Sequence, residues 1–309
     1  MRKRPRIGEP IISTDGRFLI VGGDAEIGAA TARHLRKHGC DFAATTRRPE
    51  LVGPDRPSLD LAISPEAWES TEGIRAAALF AGVARLYDCA CDPAGSHRVN
   101  VVGTLSVIDK LRARGIPVLW LSSDKVFDGS QSSVAVNTPP NPVSAYGRQK
   151  AATEAALREH MSSGPPVAIL RLAKVVSPGM PLLVQWARLL AAGEPIRAFD
   201  DMMMAPTPIG QVCSVIAQWL QAPVSDILQL SGPRDVSYAE AADYLARKLD
   251  ADPALVQRAS AYSADLPEGS TARNTTLDSS LIAERYGIVM PDVWDVIDQV
   301  VRLPKGTAK

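Results

Sequence analysis

The length, composition and charge of the chain exclude several classes of protein. Its 309 residues suffice for one large domain or two ordinary ones. Lys plus Arg and Asp plus Glu both number 34, so the formal net charge is zero and gives no indication of a nucleic-acid partner. No apolar run reaches the roughly 18 residues of a membrane span, so we expect no association with a membrane. The cysteines at 40, 89, 91 and 213 lack zinc-site spacing, and we expect no metal.

Residues 1–15 predict a flexible basic tail, because they begin with a run of Arg and Lys. Gly8, Glu9 and Pro10 interrupt any apolar segment of signal-peptide type, so we expect a cytoplasmic protein.

Strands and helices alternate through the first half of the chain. Short buried apolar runs predict strands, and amphipathic segments predict helices. The predicted strands are 17–22, 41–46, 59–61, 77–83, 117–121 and 167–172, and the predicted helices are 27–38, 98–114 and 145–160. This alternation is typical of the α/β class, and it predicts a Rossmann-type, doubly wound parallel sheet.

The pattern changes after residue 172, where helices dominate. The predicted helices there are 183–192, 209–221, 238–249 and 293–302, with one short strand at 227–230. We therefore predict a Rossmann domain over 16–172 and a smaller, mainly helical substrate lobe over 173–309, with segments that can exchange between the two. The loop 128–143, which is rich in Ser, Asn and Pro, is expected to cover a cleft.

A glycine turn joins the first predicted strand to the first predicted helix. Its spacing is G-x-x-A-x-x-G, a dinucleotide-binding pattern in which Ala25 replaces the usual middle glycine. Such a turn directs backbone N–H groups and a helix N-terminus at a pyrophosphate. A plain structural turn is the alternative. The predicted cofactor-binding residues of the turn are Gly22, Asp24, Ala25, Glu26, Ile27 and Gly28.

The end of the second predicted strand indicates which dinucleotide binds. An NAD site places an acidic residue there, whereas this chain has Arg47 and Arg48, which can pair with a 2′-phosphate. NADP(H) is therefore favoured, and solvated surface arginines are the alternative. Asp60, beside Leu61, is expected either to bind the adenine or to cap a turn.

Tyr146 and Lys150 lie four residues apart, which places both side chains on one face of a predicted helix. A neighbouring ammonium and a nicotinamide cation favour the phenolate, so we expect the pKa of Tyr146 to fall. Tyr146 can then exchange a proton with a carbonyl oxygen as hydride is transferred. Ser123, which ends a buried predicted strand, can polarise the same oxygen.

These segments resemble the extended short-chain dehydrogenases/reductases, and within them the dTDP-4-dehydrorhamnose reductase branch. Residues 121–129 are similar to that family's S-T-D-Y-V-F-D-G, and residues 142–150 with Glu154 are similar to P-x-x-x-Y-G-x-x-K-x-x-x-E. Residues 99–104, 200–207 and 273–278 resemble V-N-x-x-G-T, D-D-Q-x-G-x-P-T and R-P-x-N-x-x-L-D. The resemblance covers about residues 16 to 303.

The resemblance implies roles for individual residues. Ser123, Tyr146 and Lys150 take the catalytic roles, and Asn100 helps to shape the active site. Lys150 also anchors the nicotinamide ribose, and the segment beside that ribose consists of Ala81, Gly82 and Val83. The implied substrate-binding residues are Ser122, Asp124, Lys125, Val126, Phe127, Arg171, Met203 and Pro206. Arg171 is expected to bind a diphosphate or, alternatively, to form an ordinary ion pair.

The chain departs from the family pattern near the expected sugar-nucleotide site. Lys125 replaces a tyrosine of the motif, and three methionines, Met202 to Met204, replace polar residues. An apolar Met stretch is more often packing than recognition.

Three functions compete at this stage. The first is an NADPH-dependent reductase of a keto group on a nucleotide-activated deoxy-sugar or a related carbonyl. The second is a regulatory subunit that binds the cofactor without catalysis, similar to the methionine adenosyltransferase beta subunit. The third is an NAD-dependent sugar-nucleotide epimerase or dehydratase, against which Arg47 and Arg48 argue. The expected partners are a small-molecule substrate and, by analogy with the superfamily, a second copy of the chain in a homodimer.

Overall fold

The computed structural model describes residues 16–63 and 72–301. The predicted tail over 1–15 lies outside these ranges, as does the last residue of the helix predicted over 293–302. The strands, in chain order, are β1 (Arg17–Val21), β2 (Asp41–Ala44), β3 (Ile74–Leu79), β4 (Val118–Ser123), β5 (Val167–Leu172), β6 (Val175–Val176), β7 (Ile196–Phe199), β8 (Met203–Met204), β9 (Thr207–Pro208), β10 (Asp226–Leu230), β11 (Val236–Ser237) and β12 (Val256–Ala259).

Helices cover both faces of the main sheet and build most of the C-terminal lobe. They are α1 (Glu26–Lys37), α2 (Leu86–Cys91), α3 (Pro93–His97), α4 (Thr104–Ala113), α5 (Ala145–His160), α6 (Pro181–Ala191), α7 (Ile209–Gln221), α8 (Tyr238–Lys248), α9 (Ser280–Tyr286) and α10 (Val293–Val300). A π-helical turn over Arg98–Gly103 leads into α4.

The main sheet has six strands in the order β2-β1-β3-β4-β5-β10, all parallel. Its strand order reverses direction at β1, since β2 lies on one side of it and β3 on the other. In open sheets of this kind ligands bind outside the carboxyl ends of the strands at such a reversal. The predicted Rossmann-type α/β class is therefore confirmed.

Both faces of the sheet are buried, which explains why its strands are continuous apolar runs rather than alternating ones. Phe18, Ile20 and Leu119 pack towards α1, α7 and α9. The opposite face carries Val21 and Trp120 and is covered by α4 and α5. A third cluster lies within the C-terminal lobe, among α6, α8 and α10.

Part of the C-terminal half returns to the main sheet. β10 pairs with β5, and α7 packs on the same face as α1. Segments therefore cross between the two halves, and the division at residue 172 stays a prediction.

The strand predicted at 59–61 does not form. The preceding strap, residues 53–59, runs beside β2 and its extension, with which it makes the single bridge Thr46–Ser58. A second bridge, Gly53–Arg56, closes a turn within the strap itself. Pro54 and Pro57 lack an N–H to donate, so the strap cannot form a regular ladder. Residues 60–62 form a turn instead.

Other boundaries moved by a few residues. The strand predicted over 77–83 spans Ile74–Leu79, so its predicted last residues belong to a loop at the sheet edge. The short helices α2, α3 and α9 and the small strand pairs of the C-terminal lobe lacked a sequence prediction. Within residues 16–63 and 72–301, none of the helices has the length and apolar character that crossing a membrane requires.

Candidate active site

A cavity of about 610 Å³ opens at the carboxyl ends of β1, β2 and β3, where the strand order reverses. It is lined by most of the residues predicted to hold a cofactor: Gly22, Asp24, Ala25, Arg47, Arg48, Asp60, Leu61, Ala81, Gly82 and Val83. Which of them contact a cofactor stays a prediction. Of the remaining predicted turn residues, Ile27 lines a second pocket, Gly28 is buried, and Glu26 accepts a hydrogen bond from the Ser177 hydroxyl.

The glycine turn brings backbone close to this cavity. Gly22 has φ +92°, and a Cβ there would lie 2.6 Å from the Ala81 backbone nitrogen. A Cβ at Gly28 would lie 2.2 Å from the Gly22 carbonyl oxygen, so α1 and β1 approach as closely as glycine allows. Helix α1 begins at Glu26, immediately after Ala25 at the cavity wall. This cradle of backbone at a helix N-terminus fits a dinucleotide pyrophosphate.

The glycine turn is hydrogen-bonded to the end of β2. Gly22 N–H donates to Thr45 Oγ1 at 2.9 Å, and Gly23 N–H donates to the Thr45 carbonyl oxygen at 2.9 Å. Arg47 and Arg48 follow as exposed side chains at the cavity wall. Neither guanidinium has an acidic partner within ion-pair distance among the described residues. Both are therefore available to an anionic ligand.

Asp60 fits both of its predicted alternatives in part. Its carboxylate accepts a hydrogen bond from the Ala62 N–H at 2.9 Å, which is the turn cap. The residue also lines the cavity beside Leu61.

A second pocket of about 160 Å³ lies at the carboxyl end of β4 and shares Gly82 and Val83 with the first. Ser123, Tyr146 and Lys150 all line it. The structure thus brings the three predicted catalytic residues together beside the predicted cofactor cavity.

Local structure positions each member of this triad. Ser123 ends β4, donates to Asp124 at 2.8 Å and accepts from the Lys125 N–H at 3.2 Å. Tyr146 lies in the first turn of α5, whose N-cap, Ser144, accepts from Gly147 N–H at 3.0 Å.

Lys150 lies one turn further along α5 and is buried. Its ammonium donates to the Leu121 carbonyl oxygen at 2.7 Å. It also lies 4.4 Å from the centre of the Trp120 ring and 5.6 Å from that of Tyr146.

The pKa of Tyr146 shifts in the opposite direction from the one that the sequence predicts, and the pKa of Lys150 shifts as well. Burial and the nearby Asp124 carboxylate raise the pKa of Tyr146 above its ordinary value, and a hydrogen bond with Ser123 opposes them. The expected fall is therefore wrong for the protein alone, because desolvation of the phenolate dominates. Burial lowers the pKa of Lys150 to about 8, against the opposing carboxylate of Glu154.

Asn100 supports the site without lining either pocket. Its Oδ1 accepts from the Val83 N–H at 2.7 Å, and its Nδ2 donates to the Val83 carbonyl oxygen at 2.9 Å and to Gln149 at 2.7 Å. The residue thus fastens the loop after β3 to α5. It lies in the π-helical turn, a feature that is frequent at functional sites.

Arg171 forms the ion pair that was its alternative, and it is fully buried. Its guanidinium donates twice to Glu154, at 2.9 and 2.7 Å, and to Gln229 at 2.9 Å. Ser122 donates to the same carboxylate at 2.6 Å. A guanidinium with these bonds and no exposure is held within the fold, so the structure favours the ion pair over the diphosphate site as the role of Arg171.

The other predicted substrate residues divide by exposure. Asp124 and Lys125 stay partly exposed beside Ser123, with 3.6 Å between ammonium and carboxylate. Val126 and Phe127 pack into a small cluster with Leu277 and with Val134 of the loop 128–143, which explains their apolar character structurally. Met203 pairs with Ser237 between β8 and β11, and Pro206 is buried.

Sequence reasoning missed an ion pair beside the cofactor cavity. Arg56 Nη2 donates to Asp24 Oδ1 at 2.6 Å. No local sequence pattern indicates this ion pair, because Asp24 and Arg56 lie 32 positions apart in the sequence. The strap that replaces the predicted strand brings them together.

This triad at the carboxyl end of a doubly wound parallel sheet defines an extended short-chain dehydrogenase/reductase. The profile of the RmlD substrate binding domain family matches residues 16–303, and the chain belongs to that family. The predicted resemblance is confirmed.

Two curated relatives match most of the chain. A probable low-salt glycan biosynthesis reductase of Haloferax volcanii is 26% identical over 268 residues, which cover 84% of this chain and 81% of the relative. A dTDP-4-dehydrorhamnose reductase of Burkholderia thailandensis is 26% identical over 295 residues, covering 89% and 95%.

Solved structures show the same fold at lower identity. The UDP-glucose 4-epimerase of Thermotoga maritima, solved with UDP-glucose, superposes with a TM-score of 0.78 at 17% identity, covering 93% of this chain and 97% of its own. A dTDP-4-dehydrorhamnose reductase of Clostridium acetobutylicum also gives 0.78, at 15% identity and 93% and 98% coverage.

Proposed function

We propose that the chain is an NADPH-dependent reductase of a keto group on a nucleotide-activated deoxy-sugar. One observation carries the proposal: Ser123, Tyr146 and Lys150 line a pocket that shares Gly82 and Val83 with the larger cavity behind the glycine turn. The relatives that are named dTDP-4-dehydrorhamnose reductase support the substrate class.

The cofactor preference rests on the end of β2. Arg47 and Arg48 supply two cations at the cavity wall, where an NAD site has an acidic residue. Guanidinium groups pair with phosphate in bidentate fashion, so they favour a dinucleotide that carries a 2′-phosphate. A tightly held NAD, as an epimerase or dehydratase uses, lacks the group that these arginines suit.

The reaction divides among the chain's own residues. NADPH, when bound, supplies a hydride to the carbonyl carbon. On substrate binding the Ser123 hydroxyl turns away from the Asp124 carboxylate, to which it donates in the protein alone, and donates its proton in a hydrogen bond to the carbonyl oxygen. This bond polarises the carbonyl. The Tyr146 hydroxyl donates its proton to that oxygen, and the raised pKa of Tyr146 keeps this proton in place until it is needed. Lys150, fixed by Leu121 and Trp120, stabilises the phenolate that remains until solvent returns a proton.

The test is a screen of 4-keto sugar nucleotides and simple ketones for NADPH oxidation. We expect turnover of at least one sugar nucleotide, and we expect Tyr146→Phe to lower its kcat by about 10²–10⁴-fold, the usual contribution of a general acid. NADPH binding to the variant should stay near that of the wild type. Turnover unchanged in Tyr146→Phe contradicts the catalytic assignment, and silence across the screen favours the regulatory alternative.

A further inference from the structure

An acidic side chain lies where the proposed cofactor carries its phosphates. Asp24, in the glycine turn, lines the same cavity as Arg47 and Arg48. A bare carboxylate at this wall repels a 2′-phosphate and opposes the two arginines. An acidic residue at this position therefore has to serve another structural role, and its negative charge has to be neutralised.

Hydrogen bonds to Asp24 define this structural role. Its Oδ2 accepts from the Thr46 hydroxyl at 2.7 Å and from the Arg47 N–H at 3.3 Å. The Thr46 hydroxyl in turn accepts from the Arg48 N–H at 3.0 Å. Asp24 thus fixes the backbone from which both arginine side chains project.

Arg56 neutralises the charge of Asp24 from outside the cofactor cavity. It donates to Oδ1, the carboxylate oxygen that Thr46 and Arg47 do not use. Arg56 lines a separate cavity between α1 and the strap, together with Arg33 and Asp55, and it is not among the residues that line the cofactor cavity. Its cation therefore acts on the cofactor cavity through Asp24.

The strap holds Arg56 in this position through backbone bonds. Arg56 and Gly53 exchange N–H···O bonds of 3.0 Å each, and Thr46 N–H donates to the Pro57 carbonyl oxygen at 3.1 Å. Arg17 forms an ion pair with Asp55, the residue before Arg56. The backbone that carries the Arg56 side chain is thus held on both sides of the residue.

We propose that Arg56 is a specificity-determining positioning residue, which neutralises Asp24 and so lets Arg47 and Arg48 at the end of β2 accept the 2′-phosphate of NADP(H). The proposal rests on the proposed NADP(H) function. It predicts that Arg56 affects binding of NADPH much more than binding of NADH, because the Asp24 carboxylate is bonded to Thr46 and Arg47 at the end of β2, where only NADPH would place a phosphate.

The experiment measures dissociation constants of NADPH and NADH by fluorescence titration for the wild type, Arg56→Gln, Arg56→Lys, Asp24→Asn and the Asp24→Asn/Arg56→Gln double variant. We expect Arg56→Gln to weaken NADPH about tenfold, the size of one partly screened charge interaction, and NADH by less than about twofold. Arg56→Lys, which keeps the charge, should stay near the wild type. The NADPH effect should shrink as salt rises.

The double variant separates an indirect from a direct role. The asparagine of Asp24→Asn can still accept from Thr46 and Arg47 but carries no charge, so Arg56→Gln should have no NADPH-selective effect in that background. An equal effect in both backgrounds overturns the proposal, because Arg56 then binds the phosphate itself. Equal losses of NADPH and NADH also overturn it, because they indicate a purely structural role.

The proposed function can fail separately. A wild-type protein that binds NADH as tightly as NADPH overturns the cofactor assignment, and with it this proposal. A wild type that prefers NADPH, with an Arg56→Gln variant of the same preference, overturns only the role of Arg56.

Discussion

Lys150 shows how the site sets the charge of a single residue. The ammonium is surrounded by Trp120, Tyr146 and the Leu121 carbonyl oxygen rather than by a paired carboxylate. Its burial penalises the charged form, while the phenolate that it would stabilise forms only during the reaction. Such a group costs stability in the resting protein and contributes when charge develops beside it.

This cost predicts a pH dependence of stability. Burial lowers the pKa of Lys150 from 10.5 to about 8, so between these values the unfolded chain binds more protons and the free energy of unfolding rises with pH. Urea unfolding of the wild type and Lys150→Met should show this rise only in the wild type. We expect the difference between them to grow in favour of the wild type by about 2 kcal/mol from pH 7 to 10.

The wild type and Lys150→Met share every other titrating group, so the difference between their free energies of unfolding isolates the contribution of Lys150. A difference that stays constant over this range contradicts the lowered pKa of Lys150. A difference that moves the other way would mean that the folded protein favours the ammonium.

At the scale of an element, the packing of helix α5 positions a catalytic group. Its first turn carries Tyr146, and its contact with the turn after β4 determines where the Tyr146 hydroxyl lies. The contact is close, because a Cβ at Gly147 would lie 2.1 Å from the Lys125 carbonyl oxygen. Helix α5 and the end of β4 can therefore approach this closely only because residue 147 is a glycine.

Gly147→Ala should push α5 away from the turn after β4. We expect kcat/KM to fall on the order of 10²-fold, as for reacting groups misplaced by about 1 Å. The free energy of unfolding should fall by about 1–3 kcal/mol from overpacking. The measurements are steady-state kinetics on the substrate from the screen and urea unfolding.

Gly210→Ala is the matched control. Gly210 lies in α7 with no heavy atom within 4 Å of an added Cβ. We expect unchanged kinetics and stability equal to or above the wild type, since alanine favours a helix over glycine by about 1 kcal/mol. If Gly147→Ala and Gly210→Ala had the same kcat/KM and the same free energy of unfolding, the contact between α5 and the turn after β4 would not be what positions Tyr146.

Sequence periodicity predicted the elements whose own burial defines them. The strands β1, β4 and β5 are continuous apolar runs, and their positions were predicted to within about two residues. The strap escaped prediction because Leu59 and Leu61 are apolar and buried, as in a strand, while the prolines before them prevent a ladder. Burial and hydrogen bonding thus disagree there, and an apolar pattern reports only burial.

The sequence likewise predicts only some of the residues that build the site. The residues that line the pockets follow from local motifs, as Ser123, Tyr146 and Lys150 show. The residues that hold them in place come from distant segments, such as Arg56 for Asp24 and Gln149 for Asn100. A single sequence records the type of each side chain but not its partner.

At the scale of the whole molecule, one buried network joins the two halves of the chain. Glu154 of α5 binds Arg171 of β5, and Arg171 binds Gln229 of β10. Gln229 then donates to the carbonyl oxygens of Val134 and Asp278, at 2.7 and 3.3 Å. The loop 128–143 and the C-terminal segment are therefore connected by hydrogen bonds to the helix that carries Tyr146, and the buried guanidinium of Arg171 holds this network together.

Because the cofactor cavity is built from several segments of the main sheet, binding of NADPH should stabilise the molecule as a unit. A ligand that binds only the folded state adds about 2.7 kcal/mol at 100 times its dissociation constant. We expect NADPH to raise the unfolding temperature more than NADH at the same concentration. The Arg47→Gln/Arg48→Gln variant should lose that difference, because both cations that suit the 2′-phosphate are gone.

An Arg197→Gln/Arg247→Gln variant is the control. It removes the same two charges from exposed positions in the C-terminal lobe, and it should keep the difference between NADPH and NADH. Without ligand, the Arg47→Gln/Arg48→Gln variant should unfold close to the wild-type temperature, since both side chains are exposed and lack acidic partners among the described residues. If it keeps the full NADPH effect, other residues recognise the phosphate, and the assignment made from the end of β2 is wrong.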